Sequence, residues 1–270
     1  MEDIVKEAKE LEELGVKELN LIAQDTTRYG LDIYGEYSLA RLVRAITEET
    51  NIPWIRLLYC YPDKITDELI EELRDNPRLL KYMDIPIQHI SDKILRRMNR
   101  HGDKALISEV INKLRESVPG IVLRTTAMVG FPGETDEDFT ELCEFVKQAK
   151  FDRFGAFTYS EEEGTEAVML DGKVDEQTKQ DRYDILMQTQ LTVTEELNTD
   201  KIGKSFEVMC EGYDTVAEIY YGRTYADAPD VDGRVYFTSK ERLSEGEFVT
   251  VKITEAVDYD LVGNKIQKEE

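Results

Sequence analysis

Residues 121–135, IVLRTTAMVGFPGET, decide the fold of this 270-residue chain. The first nine are rich in Val, Ile, Leu, Met and Thr, which predicts a buried strand. The GFPG segment at 130–133 must turn, and Thr135 and Asp138 then have the spacing of a helix N-cap. This order places backbone N–H groups and the Glu134 carboxylate together between the strand end and the helix N-terminus. Such a site suits a ligand with a nucleoside or an anionic group. An ordinary strand–helix turn is the alternative.

The composition describes a globular chain with a strong excess of acidic residues. Hydrophobic residues make up 41% and charged residues 34%, and the net charge is −23. No apolar run approaches the roughly 20 residues that a membrane helix needs, so we expect a cytoplasmic protein without a membrane segment. The charge argues against binding to nucleic-acid phosphates and favours a basic partner. A solvated acidic surface without a partner is the alternative.

Cysteine and histidine form no metal-binding pattern. Cys60, Cys143 and Cys210 stand far apart without a C-x-x-C pair, so they predict neither a disulfide framework nor, by themselves, a metal site. His89 and His101 each lack a companion at metal-binding spacing.

A strand followed by a helix recurs five times in the first 173 residues. The predicted strands are 16–23, 54–59, 80–87, 121–129 and 151–159. Repeated strand–helix units build a parallel sheet, and a helix at 2–14 precedes the first strand, so the pattern is that of a (βα) barrel that lacks one strand. The open sheet edge predicts edge-to-edge dimers or marginal solubility.

The loops after the strands form the reactive face of parallel barrels. In this sequence they hold Gln24, Asp25, Arg28, Tyr61, Gln88, His89, Gly130 to Glu134 and Tyr159. The opposite strand ends hold mostly Gly, Pro and Asn, so we expect function at the C-terminal ends.

The residue pattern changes twice after the predicted strand at 151–159. A long amphipathic helix is predicted around 174–200, where it covers a sheet edge or connects two domains. After Gly203, short strands of alternating or β-branched character are divided by Gly and Asp, as in a small β-barrel. The sequence therefore predicts an α/β partial barrel at 1–173, a connecting helix at 174–203 and a small all-β barrel at 204–270.

Five segments resemble, in order, motifs of the radical S-adenosylmethionine methylthiotransferases. They are AQDTTRYG (23–30), LLYCYP (57–62), DIPIQH (84–89), ILRRMNR (94–100) and MVGFPGET (128–135). Residues 204–270 resemble the C-terminal TRAM barrel of that family. The resemblance covers essentially the whole chain and implies a partial radical SAM barrel, with about five remaining parallel strands, followed by a TRAM-like β-barrel.

The resemblance also implies a cofactor and roles for several residues. In the intact enzymes S-adenosyl-L-methionine binds the open iron of a [4Fe–4S] cluster and is cleaved to a 5′-deoxyadenosyl radical, which takes hydrogen from the substrate. Cofactor-binding residues would be Gln88 at the ribose, Arg124 at the methionyl carboxylate, and the backbone of Val129, Gly130, Phe131, Pro132 and Gly133 at adenine. The substrate side would be lined by Gln24, Asp25, Arg28, Tyr61 and Tyr159.

Structural alternatives remain open for these residues. Gln88 would otherwise be a loop amide bonded to its own turn, and Arg124 would form an ion pair inside its strand. Asp25 would cap a helix, and the two tyrosines would pack at the rim. Glu134 would be a carboxylate stabilised at a helix N-terminus.

AQDTTRYG and IPIQH resemble the RimO-type branch of the family, which adds a methylthio group to the β-carbon of an aspartate in a small-subunit ribosomal protein. Residues 204–270 carry 8 Lys and Arg against 15 Asp and Glu. Such a barrel repels phosphates and suits a basic ribosomal protein. The alternatives are the branch that modifies an adenosine in transfer RNA and a non-catalytic module that holds a basic protein. A metal-free aldolase-type barrel is disfavoured, because no Lys or paired carboxylate ends a strand.

One departure from the family limits these expectations. The family holds its radical-generating cluster on a C-x-x-x-C-x-x-C loop after the first barrel strand, and a second [4Fe–4S] cluster in an N-terminal domain. This sequence contains neither, and its three cysteines match none of those positions. We therefore expect a chain that starts just after the cluster loop, binds neither cofactor stably and is inactive by itself.

Overall fold

The computed structural model describes residues 1–266, and the last four residues of the predicted 204–270 domain lie outside the described residues. The helices are α1 (Glu2–Glu13), α2 (Leu31–Tyr34), α3 (Leu39–Glu49), α4 (Asp67–Asp75), α5 (Asp92–Arg97), α6 (Lys104–Ser117), α7 (Asp136–Ala149) and α8 (Glu176–Thr199). The strands are β1 (Glu18–Leu21), β2 (Trp54–Leu57), β3 (Leu79–Asp84), β4 (Val122–Val129), β5 (Arg153–Thr158), β6 (Ser205–Asp214), β7 (Ile219–Arg223), β8 (Val235–Thr238), β9 (Phe248–Val257) and β10 (Asp260–Lys265).

Strands β1 to β5 form one parallel sheet in chain order, which confirms the predicted α/β partial barrel. Strand β4 explains how the sheet is buried. Leu123, Ala127 and Val129 lie in the main core between the sheet and its helices, whereas Arg124 and Thr126 alternate with them on the opposite face. Strand β1 pairs only with β2 within residues 1–266, so its outer edge is open as expected.

Side-chain caps are present at only some of the helix starts. Thr135 and Asp138 form the expected capping box at α7, and the hydroxyl of Thr66 accepts the Leu69 N–H at α4. Ser38 and Ser91 precede α3 and α5, but neither side chain caps its helix. Each hydroxyl instead donates elsewhere, that of Ser91 to Asp138 Oδ1 at 2.7 Å.

Helix α8 packs along β5 and against α7. Leu186 joins the main core, and the Gln190 amide donates to the Phe151 carbonyl at 2.9 Å. Of the two predicted roles, covering the sheet edge and connecting the domains, α8 therefore fulfils the first as well as the second.

Strands β6 to β10 close into a barrel in the order β10-β8-β7-β6-β9, as expected for the all-β part. Its core is separate from the main one. Val208, Val235, Phe237 and Val251 form its centre, and Cys210 is buried with them.

The small barrel docks on the N-terminal ends of the sheet strands. Trp54, the first residue of β2, meets Phe248 edge-on, with ring centroids 5.0 Å apart. Glu18, the first residue of β1, accepts hydrogen bonds from Arg56 at 2.7 Å and from Arg223 at 2.6 Å. The contact therefore closes the end of the sheet opposite to the loops after the strands.

Two further polar contacts cross this interface. Arg153, the first residue of β5, pairs with Asp227, and the Tyr82 hydroxyl donates to Asp232 at 2.7 Å. Burial disfavours the Asp227 carboxylate, but the charge of Arg153 overrides this effect and lowers the pKa of Asp227. The two units are thus joined through desolvated charges as well as through apolar packing.

Candidate functional site

The loops after β1 to β5 form one rim, as expected for a parallel sheet. All the residues predicted for the cofactor and substrate sides lie in these loops or at the end of β4, with one exception. Arg124 is the third residue of β4 and lies nearer the end that the small barrel covers.

The Glu134 carboxylate braces the glycine turn (residues 130–134) from inside. Its side chain is fully buried, its Oε2 accepts the Gly130 N–H at 2.9 Å, and its Oε1 accepts Arg182 Nη1 at 2.9 Å. His89 Nε2 lies 3.5 Å from the same Oε2. The sequence placed this carboxylate beside the backbone N–H groups of the turn, and it does accept the Gly130 N–H, but it is buried there because α8 supplies a partner from a distant part of the chain.

The backbone N–H groups of the turn are also largely occupied. The Gly130 N–H donates to Glu134, the Gly133 N–H donates to the Gly172 carbonyl at 2.7 Å, and the Thr135 N–H donates within the capping box. The expectation of free donors for an anionic group therefore fails at these three positions.

The structure explains why positions 130 and 133 of the turn are glycines. Gly130 and Gly133 have φ of +74° and +89°, a region that side chains disfavour. A Cβ at Gly130 would lie 2.3 Å from Lys179 Cγ, and a Cβ at Gly133 would lie 2.7 Å from Arg97 Nε. At these two positions the absence of a side chain thus makes room for Lys179 and Arg97 of this chain, whereas the family resemblance had implied adenine there.

Phe131 and Tyr159 pack together beneath the rim. Their rings meet edge-on with centroids 5.1 Å apart, and both side chains are buried. The Tyr159 hydroxyl has no hydrogen-bond partner among the described residues. Val129 is buried on the helix side, and Pro132 offers its carbonyl to Arg97 at 2.9 Å. The position of Tyr159 therefore matches the alternative to a substrate-side role, in which this tyrosine packs at the rim.

Gln88 has an unusual backbone and an unsatisfied side chain. Its φ is +69°, its N–H donates to the Thr126 carbonyl at 2.9 Å, and its carbonyl accepts the Met128 N–H at 2.7 Å. Its buried Oε1 has no partner within residues 1–266. The backbone is therefore held by β4, and the amide oxygen is left available for a donor such as a hydroxyl group.

Arg124 is engaged by two carboxylates. Its Nη1 donates to Asp84 Oδ1 at 2.8 Å, and its Nε lies 3.4 Å from Asp232 Oδ1 of the small barrel. Burial disfavours the charged guanidinium, but Asp84 and Asp232 keep the pKa of Arg124 above its usual value. Arg124 therefore forms an ion pair, which was the alternative to a contact with the methionyl carboxylate.

The loop after β1 presents an exposed polar group. Gln24 and Arg28 are exposed, and Asp25 lies 3.3 Å from Arg28 Nε and accepts the Thr27 hydroxyl. Asp25 precedes a single 3-10 turn, but its side chain makes no capping hydrogen bond there. Gln24 and Arg28 are therefore accessible for the substrate side that the resemblance implies.

Tyr61 is fixed by an arginine from the segment after α5. Arg100 Nη1 donates to the Tyr61 hydroxyl at 2.6 Å, and its guanidinium lies 4.3 Å from the centre of the ring. The pair ties the loop after β2 to the loop after β3, where the Pro86 carbonyl accepts the other end of Arg100.

Tyr59 and Asp84 were missed by sequence reasoning. Tyr59 has φ of +56° and is 45% exposed at the rim. Its N–H donates to Asp84 Oδ2 at 3.0 Å, and Asp84 in turn binds Arg124. A left-handed non-glycine residue costs about 1–3 kcal/mol and is typical of functional sites. The only available sequence signal was Asp84 itself, a carboxylate at the end of an apolar strand.

The three cysteines lie in separate places. Cys60 is buried in the main core, Cys143 lies on α7, and Cys210 is buried in the small barrel. Burial raises the pKa of the Cys143 thiol to about 11. Across residues 1–266 no group of three or more His, Cys, Asp or Glu side chains is arranged to hold a metal ion. In the same range no helix is long and apolar enough to cross a membrane.

Comparison with known families agrees with this architecture. A model of the radical SAM superfamily matches residues 1–146, and a TRAM domain model matches residues 202–266. The first match covers more than half of the chain, so the chain belongs to the radical SAM superfamily. The fold is also similar to that of coproporphyrinogen III oxidase (HemN) from Escherichia coli, with a TM-score of 0.53 and 17% identity over 73% of this chain and 46% of that one.

The chain is more specifically similar to proteins named ribosomal protein uS12 methylthiotransferase RimO. It is 50% identical over 263 residues to the one from Caldanaerobacter subterraneus subsp. tengcongensis, which covers 97% of this chain and 60% of the relative. It is 50% identical to the one from Thermoanaerobacter sp. (strain X514) and 48% identical to one from Clostridium botulinum (strain Hall). The chain thus spans about three fifths of the length of these relatives.

Proposed function

We propose that this chain is the catalytic-barrel and TRAM portion of a radical SAM methylthiotransferase that modifies ribosomal protein uS12. The observation that carries this assignment is the 50% identity over 97% of the chain to relatives of that name. As in the family resemblance, the reaction adds a methylthio group to the β-carbon of an aspartate in that protein. The rim at the strand C-terminal ends is its proposed location.

The described residues fit S-adenosyl-L-methionine at one point in particular. Gln88 Oε1 is buried and unpaired within residues 1–266, so a ribose hydroxyl would supply the missing donor. Residues 129–133 would also contact adenine. The space beside the Cα atoms of Gly130 and Gly133 is already filled by Lys179 and Arg97, so this contact would involve other atoms of the turn. When bound together with a reduced cluster, the cofactor supplies a carbon radical that removes a hydrogen atom from the substrate.

The described residues do not fit an iron–sulfur cluster. A [4Fe–4S] cluster needs closely placed thiolates, and the three thiols of this chain lie in two separate cores and on one helix. The proposed activity therefore depends on cluster ligands from other polypeptide segments.

The small barrel is the proposed contact for the basic ribosomal protein. Nine acidic residues on it are exposed: Glu207, Asp214, Glu218, Asp230, Glu241, Glu245, Glu247, Glu255 and Asp258. Asp227 and Asp232 are buried against the sheet and contribute nothing to such a surface. Because the barrel covers the N-terminal strand ends, a partner held there has to reach about 13–26 Å along the sheet strands to the rim.

The test is cofactor binding by the chain itself. After anaerobic reconstitution we expect substoichiometric iron and sulfide in this chain, because no three thiols converge among the described residues, and we expect stoichiometric clusters in the full-length Caldanaerobacter relative under the same conditions. Equilibrium dialysis then measures the affinity of the chain for S-adenosyl-L-methionine. Loss of one hydrogen bond in Gln88→Leu is expected to weaken binding about fivefold, and Gln24→Leu, on the same rim, is expected to leave it unchanged.

Two outcomes contradict parts of the proposal. A stoichiometric cluster in this chain means that its cysteines converge in solution, and the inference that the cluster ligands come from other segments is then wrong. If neither this chain nor the full-length relative binds the cofactor or a cluster, the methylthiotransferase assignment fails, and a module that only holds a basic protein is the better description.

A further inference from the structure

The beginning of α8 carries two buried cations. Lys179 and Arg182 are only 5% and 6% exposed, although a helix that merely connects two domains would leave such residues in solvent. Arg182 Nη1 donates to Glu134 Oε1 at 2.9 Å, and its Nη2 donates to Asp136 Oδ1 at 2.7 Å. One planar guanidinium thus bridges the glycine turn and the first residue of α7.

Lys179 closes the other side of the turn. Its stem occupies the space beside Gly130, where a Cβ would lie 2.3 Å from Lys179 Cγ. Its ammonium group pairs with Glu176 at 2.7 Å and lies 5.3 Å from the centre of the Tyr159 ring. The apolar stem is therefore the part that packs against the turn, while the charge points toward solvent-exposed Glu176.

Glu134 transmits these contacts to the backbone of the turn. Its second oxygen accepts the Gly130 N–H, so the position of Arg182 fixes the carboxylate and the carboxylate fixes Gly130. His89 also faces this carboxylate: its Nε2 lies 3.5 Å from Glu134 Oε2, and its Nδ1 accepts the Ser91 N–H. Without Arg182 a buried carboxylate would lose its cationic partner.

We propose that Arg182 and Lys179 are positioning residues for the cofactor, because they fix the backbone conformation of residues 130–134. The assignment of S-adenosyl-L-methionine to this turn comes from the proposed function; the coupling of α8 to the turn comes from the contacts alone. The connecting helix is in this view a functional part of the cofactor site. Nothing in its periodicity distinguishes these two residues from the exposed charges around them.

The experiment measures the turn and the ligand separately, on the whole chain. Amide hydrogen exchange of residues 130–135 is measured without ligand, and the dissociation constant of S-adenosyl-L-methionine is measured by equilibrium dialysis. In Arg182→Met we expect faster exchange in the turn and about tenfold weaker binding, within the range usual for coupled sites. Arg182→Lys keeps the charge but loses the fork, so it is expected to restore binding only in part.

The matched control is Gln190→Met. Gln190 is also a buried polar residue of α8, but it binds the Phe151 carbonyl and does not contact the turn. It is expected to lower the thermal stability comparably, with exchange of residues 130–135 and cofactor affinity unchanged. A second variant, Arg182→Met with Glu134→Gln, removes the orphaned charge; stability is expected to recover while binding stays weak.

The outcomes separate the two proposals. Unchanged exchange in Arg182→Met, or equal loss of binding in Gln190→Met, overturns the positioning role while the proposed function stands. If the wild-type chain does not bind the cofactor, as expected for a chain without cluster ligands, the full-length relative decides the proposed function, and the exchange data alone decide whether α8 fixes the turn.

Discussion

At the scale of single residues, glycine is required at two positions of this chain for different physical reasons. Gly130 and Gly15 both have positive φ, +74° and +85°. A Cβ at Gly15 would meet nothing within 4 Å, whereas a Cβ at Gly130 would strike Lys179. The first glycine is required only by its backbone angle, and the second is required also by packing.

This contrast gives a paired prediction. Gly15→Ala is expected to lower the free energy of unfolding by about 1–2 kcal/mol, the usual cost of a left-handed alanine. Gly130→Ala is expected to cost about 1–3 kcal/mol more, because Lys179 must move. Urea unfolding of both variants measures the difference, and equal losses would mean that the space beside Gly130 is not filled in solution.

At the scale of elements, the order of the strands leaves one edge without a partner. Trp54 N–H donates to the Lys17 carbonyl and Leu58 N–H donates to the Leu21 carbonyl, so odd-numbered residues of β1 pair with β2. The N–H and carbonyl groups of Asn20 therefore face the open edge. An uncovered edge of this kind pairs readily with another strand.

We expect this edge to make the chain self-associate. Size-exclusion chromatography over a range of concentrations should show dimers, and Asn20→Pro should reduce them because it removes an outward N–H group. Ile33→Lys changes an exposed apolar residue on α2, outside strand β1, and is expected to leave the dimers in place. A monomer at every concentration in the unmodified chain would contradict the prediction.

At the scale of the whole molecule, the two units share a buried polar interface. Arg153, Tyr82 and Glu18 of the sheet bind Asp227, Asp232 and Arg223 of the small barrel. Because each group is desolvated and depends on a partner in the other unit, we infer that the sheet and the small barrel unfold together.

Asp227→Asn tests this coupling. Loss of one partner from a buried ion pair is expected to lower the free energy of unfolding by about 3–5 kcal/mol at pH 7. The pKa of Asp227 is lowered in the folded chain, so the native carboxylate stabilises above its unfolded pKa, and this contribution is lost as the pH falls through the folded pKa. The variant is therefore expected to lose part of its acid sensitivity.

Calorimetry at several pH values measures both effects. Glu196→Gln, which breaks an exposed pair with Lys150, is the control and is expected to cost less than about 1 kcal/mol. Separate transitions for the two units in the unmodified chain would show that the interface does not couple them.

The sequence by itself determined the local structure and the order of the elements. The β-branched run before GFPG, the Thr135–Asp138 capping box and the repeated strand–helix pattern each depend on neighbours a few residues away, so all three were predictable. From that order followed the parallel sheet, its open edge and the rim that carries Gln88 and Gln24. The small closed barrel followed from the short strands after Gly203 in the same way.

Only the tertiary structure decided which partner each buried charge has. Arg182 and Glu134 are separated by 48 residues, and Arg223 and Glu18 by 205. The sequence therefore could not show that the glycine turn is braced by α8, that Arg124 is paired with Asp84, or that the small barrel covers the strand N-terminal ends. Those results depend on desolvated contacts between distant segments, and local periodicity carries no information about them.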